Sequence, residues 1–121
     1  MWVSPRPGST RTPKCFQSFS IIRPPTGLGG TLVYWCIEHP VRFNATLVLE
    51  RKTTENWVEI DRSHKGVAPP TDKRGVIEVR TEKRPGLYRA WYAIDVEWLN
   101  GDFHEVGPRE HKFVVTKWHC T

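Results

Sequence analysis

The chain has 121 residues, with eighteen Lys and Arg against thirteen Asp and Glu and a formal net charge of +5. That length suits one domain able to bury a core without a metal or several disulfides, and no apolar run approaches the roughly eighteen residues that read as a membrane-spanning helix. The positive charge is uneven: residues 1–30 contain Arg6, Arg11, Lys14 and Arg23 and no acid, whereas the remainder is nearly balanced.

Residues 1–13, rich in Pro, Ser, Thr and Arg without periodicity, predict a disordered basic leader ahead of a single domain over 14–121. Met1-Trp2-Val3-Ser4-Pro5-Arg6 lacks the apolar run of a signal peptide, so either a signal precedes this sequence or secretion does not use that route. Lys14 to Ile22 alternates loosely, with Phe16 and Phe19 out of register, and reads as an edge strand. After the turn-rich Arg23-Pro24-Pro25-Thr26-Gly27-Leu28-Gly29-Gly30, the apolar run from Thr31 to Ile37 reads as a buried central strand. Val41 to Arg51 alternates, with Phe43, Ala45, Leu47 and Leu49 on one face and Asn44, Thr46 and Glu50 on the other. Trp57 to Asp61 is a shorter strand, residues 62–74 the longest connection, and Gly75 to Thr81 another short strand with Ile77 and Val79 inward.

The clearest signal is Arg84-Pro85-Gly86-Leu87-Tyr88 followed by strict alternation to Trp98. Tyr88, Ala90, Tyr92, Ile94, Val96 and Trp98 share one face, while Arg89, Asp95 and Glu97 take the other. Asn100-Gly101 follows, the dipeptide suited to a tight hairpin turn with two positive φ values. The last strand runs from Phe103 to Lys117, and Gly107-Pro108 predicts a bulge or kink at a sheet edge. Seven short strands at regular spacing imply an all-β sandwich or barrel.

From Thr31 to Thr116 the chain resembles the immunoglobulin-like or fibronectin-III-like modules of bacterial extracellular proteins. The matching features are the apolar second strand, Leu47-x-Leu49-x-Arg51, the turn into Trp57, and Pro85-Gly86-Leu87-Tyr88-Arg89. The resemblance implies an immunoglobulin-like antiparallel β-sandwich of about seven strands, with Tyr88 at a corner whose hydroxyl bonds back to the backbone. Ala90 stands where an antibody domain has its second core cysteine, and the third strand has no central tryptophan, which excludes the antibody type of inter-sheet disulfide.

Cys15, Cys36 and Cys120 match no metal-ligand spacing. If the strands around Cys15 and Cys36 form a hairpin, its midpoint falls between Pro25 and Thr26 and the two cysteines face each other. Cys15–Cys36 is the preferred bridge and Cys36–Cys120 the rival; three reduced thiols, with Cys36 a small core residue, is the third alternative.

No nucleophile is joined to a base and an orienting group. Cys36 and His39 lie at one strand end without a partner, and Asp95 and Glu97, roughly 7 Å apart on one strand face, read as solvated charge rather than a glycosidic pair. His39, His64, His104, His111 and His119 are scattered, and His119-Cys120 lacks a third ligand. Enzyme activity, a cofactor and a metal are therefore not expected. Asn44-Ala45-Thr46 is a glycosylation sequon.

Aromatic residues carry the functional expectation. Trp91 falls outward with Arg89, Val48 lies outward beside it, and Trp57 extends the surface; with Arg80 these are the expected binding residues. An exposed Trp with Arg suits a protein-binding hot spot or a sugar platform. The expected function is that of a monomeric, secreted or cell-surface, non-catalytic module recognising a protein or glycan. The alternative is an intracellular nucleic-acid-binding or regulatory protein using the basic arm and Lys73, Arg74, Arg80, Lys83, Arg84 and Arg89.

Overall fold

The computed structural model describes residues 13–117, and its elements are seven strands. They are β1 (Cys15–Ile22), β2 (Gly29–Cys36), β3 (Arg42–Lys52), β4 (Trp57–Lys65), β5 (Gly75–Arg80), β6 (Gly86–Glu97) and β7 (Phe103–Val115). Two antiparallel sheets, β1-β2-β5 and β4-β3-β6-β7, pack face to face as a β-sandwich. Residues 1–12 of the leader expected over 1–13, and the expectations attached to His119 and Cys120, fall outside the described residues.

Alternation decides which side chains meet between the sheets. Leu32 and Tyr34 of β2, Ile77 and Val79 of β5, Phe43, Ala45, Leu47 and Leu49 of β3, and Tyr88, Ala90, Tyr92, Ile94 and Val96 of β6 form one buried cluster. Phe19 of β1 packs against that cluster from the inner face, whereas Phe16 points out. The two phenylalanines therefore sit on opposite faces of one regular strand, and the register holds throughout β1.

The β1–β2 hairpin pairs Cys15 with Cys36, and the two form a disulfide. Just beyond it, Lys14 ion-pairs with Glu38 at 3.3 Å and lies 5.4 Å from the buried Trp98 ring. The Trp98 indole N–H donates to the Glu38 carbonyl at 2.9 Å. At the start of β6 the Tyr88 hydroxyl donates to the Arg84 carbonyl at 2.7 Å, so the corner bond is formed.

Two local expectations need correction. Asn100 does not take a positive φ; Gly101 alone does, at 91°. The Gly101 N–H donates to the Trp98 carbonyl and the Trp98 N–H to the Asp102 carbonyl, the pattern of a type I turn closed by a glycine bulge. Secondly, β4 continues to Lys65, because β3 keeps pairing as far as Ala45↔Lys65 after a bulge at Leu49/Glu50; the connection is residues 66–74. The bulge expected at Gly107-Pro108 is present on the edge strand β7, as a register shift against Tyr92/Ile94. There Gly107 has φ 87°, and a Cβ on it would stand 2.5 Å from the Tyr92 carbonyl oxygen.

Candidate functional site

The outer face of the four-stranded sheet gathers aromatic and charged side chains in two neighbouring rows. Cross-strand pairing sets the first row as Arg62 on β4, Val48 on β3 and Trp91 on β6. In the second, Glu50 on β3 pairs with Arg89 on β6, and Trp57 at the start of β4 lies one step further along. Each row thus spans β3 with a cation on one side and an indole on the other, and the order reverses between rows.

In the second row the Arg89 guanidinium crosses β3 and stacks 4.3 Å from the Trp57 ring centroid. Its Nε donates to Glu50 at 2.7 Å and one Nη to Glu110 of β7 at 3.4 Å. Arg89 is 22% exposed and Glu50 15%, so this pair is shielded from water better than an ordinary surface ion pair. Lys52 approaches the Trp57 ring at 5.6 Å, and Lys112 sits 3.8 Å from Glu110.

In the first row Arg62 lies 5.9 Å from the Trp91 centroid and donates to Glu59 at 2.8 Å. That hydrogen bond holds the Glu59 carboxyl below the usual carboxylate range and raises Arg62 above its ordinary value. Val48 sits between Trp91 and Arg62 and is fully buried. Its outward position matches the sequence expectation, but its exposure does not: the two large neighbours roof it, and it has no surface to offer a partner. Trp57 and Trp91 are each half-buried. Beside Trp91 a depression of about 380 Å³ opens between Arg89, Pro108 and Glu110.

Arg80 does not belong with these residues. It ends β5 in the other sheet, where its Nε bonds Glu78 at 3.2 Å and its backbone N–H donates to Asp61. The remaining basic residues of the expected cluster are dispersed too. Arg84 pairs with Glu82, Lys83 donates to the Pro25 carbonyl, and Arg74 stacks on Trp35.

Other candidates resolve into structural contacts. Cys36 is bridged and leaves His39 no thiolate to activate. Asp95 and Glu97 both bind Arg42. Asn44 donates to Asp95 at 3.2 Å and lies 3.2 Å from the His64 ring, so its amide is engaged within the sheet. Among the described residues no three His, Cys, Asp or Glu side chains converge as metal ligands, and no helix is long and apolar enough to cross a membrane.

Sequence reasoning missed Arg62 and the carboxylates Glu59 and Glu110. Arg62 sits in the charged run Asp61-Arg62-Ser63-His64-Lys65, which carries no apolar alternation and therefore reads as loop. Comparison of the chain with family models, curated proteins and solved structures gave no match.

Proposed function

We propose that this chain is a non-catalytic binding module of the immunoglobulin-like or fibronectin-III-like type, secreted or surface-associated, that takes a protein or glycan on the outer face of its four-stranded sheet. The strand order β1-β2-β5 packed on β4-β3-β6-β7, with the Tyr88 corner bond, supports the module type. The Cys15–Cys36 bridge supports an oxidising compartment.

The observation that carries the reading is the pair of half-buried indoles, each set beside a guanidinium that a carboxylate fixes. Such side chains lose little rotamer freedom when a partner arrives, because strands and ion pairs already hold them. Arg89, with Nε and one Nη already bonded, holds Trp57 in place more than it reaches for an acceptor. The partner then buries the free faces of Trp57 and Trp91, and a ring or side chain enters the depression by Pro108.

The test is binding of the full chain to a glycan array and to displayed protein libraries, repeated with Trp91→Leu and Trp57→Ala. Ligands of the native chain should lose about tenfold or more in affinity with each variant. Ligands that bind both folded variants as well as the native chain would sink the proposal.

A further inference from the structure

The opposite side of the sandwich carries a second surface of different character. On the outer face of β1-β2-β5, pairing places Phe16 beside Trp35, Ser18 beside Val33 and then Val76, and Ser20 beside Thr31 and then Glu78. The half around Glu78 is polar and satisfied: Thr31 and Arg80 both bond that carboxylate. The other half is apolar and open. Phe16 is 37% exposed, Val76 55% and Ile37, one residue beyond β2, 64%.

Arg74, one residue before β5, lies over the Trp35 ring with its guanidinium carbon 4.2 Å from the centroid, and Phe16 meets the same indole at 6.0 Å. Arg74 differs from Arg62 and Arg89 in one respect. Those two stacked guanidiniums are each bonded to a glutamate, whereas Arg74 has no carboxylate within ion-pair distance among the described residues. A flat cation on an indole, flanked by exposed aliphatic carbons and in ion-pair contact with no carboxylate of the described residues, complements an acidic group held next to apolar side chains. The Cys15–Cys36 bridge joins β1 to β2 next to the Phe16–Trp35 pair, so that row is tied in register before anything binds.

We propose that this half-face docks an acidic, apolar peptide segment of a partner protein. Its Asp or Glu bonds the Arg74 guanidinium, and neighbouring aliphatic or aromatic side chains cover Phe16, Val33 and Val76. The surface lies on the sheet opposite the Trp57–Trp91 face, so occupation of one does not require the other.

Selection of short random peptides displayed on phage against the folded full chain tests this. Enriched sequences should carry Asp or Glu beside aliphatic or aromatic residues. A synthetic peptide of that sequence should bind about tenfold or more weakly to Arg74→Glu and to Val76→Lys, and unchanged to Trp91→Leu. Both substitutions are at the surface, and circular dichroism checks that each variant is folded. Enriched peptides without an acid, equal binding to Arg74→Glu, or no enrichment at all would overturn the proposal. So would self-association of the native chain in sedimentation that Val76→Lys abolishes, because the occupant would then be a second copy.

Discussion

Trp91→Ala separates a contact residue from a core residue. Removing a fully buried Phe or Trp side chain costs about 3–5 kcal/mol, while a surface substitution without special features stays within about 0.5 kcal/mol. Trp91 is half-buried, touches no part of the inter-sheet cluster, and covers Val48 together with Arg62. Its loss uncovers one valine and one face of a guanidinium that Glu59 still holds. The expected cost is therefore about 2 kcal/mol, roughly half the buried value. Trp91→Leu keeps an apolar cover over Val48 and should cost about 1 kcal/mol or less. Urea unfolding followed by far-ultraviolet circular dichroism measures both, with an unchanged slope showing that the folded and unfolded states are otherwise alike. A cost above about 4 kcal/mol would place Trp91 in the core, and one below about 0.5 kcal/mol would mean that it does not roof Val48. Either result refutes the geometry of the first row.

Tyr88→Phe removes the hydroxyl that donates to the Arg84 carbonyl but keeps the ring stacked 5.6 Å from Phe113; it should cost about 1 kcal/mol, read as a lower Tm. Replacing Cys15 and Cys36 together by Ala should cost about 3 kcal/mol from the entropy of the closed loop, whose ends are 21 residues apart, and an unreduced peptide map should contain the Cys15–Cys36 cross-link. Gly107→Ala, with φ 87° and the Tyr92 carbonyl in the way, should destabilise by about 1–3 kcal/mol, whereas Gly101→Ala meets no neighbour and should cost less; equal costs would show that crowding at the bulge is unimportant. The pH dependence has a definite sign. Hydrogen bonds from Arg80 and Thr31 hold Glu78, and one from Arg62 holds Glu59, below the usual carboxylate range. Each contribution is present above the unfolded carboxylate value, about pH 4.3, and is lost as pH falls through the lower folded one. Glu59→Gln with Glu78→Gln should therefore flatten the fall in Tm between neutral pH and about pH 3; an unchanged slope would mean that neither bond persists in solution.

Much of this architecture is legible in one strand. In β6 the alternation from Tyr88 to Val96 places each buried side chain without reference to any partner, since a pleated strand has only two faces. The cysteine midpoint, falling in a turn-rich segment, likewise gives the β1–β2 register and the bridge together. Failures arise where local pattern and tertiary context diverge. The charged second half of β4 pairs because β3 offers it an edge, and no apolar face announces it. Alternation puts Val48 outward but says nothing of the size of Trp91 and Arg62, which meet above it. Asn100-Gly101 permits two positive φ values, yet the hydrogen bonds between Trp98 and Asp102 select a turn that needs only one. Arg74 and Trp35, far apart in sequence, meet only because β5 pairs with β2.

The most direct measurement is an amide and indole chemical-shift map of the isotopically labelled full chain, titrated with a glycan or protein ligand obtained from the array or library. Binding through the proposed face moves the Trp57 and Trp91 indole signals together with the amides of Val48, Arg89 and Glu110, and leaves β1 and β5 unchanged. Shifts confined to β1, β2 and β5, or spread over the basic positions Lys73, Arg80 and Arg84 while both indoles stay still, would contradict it.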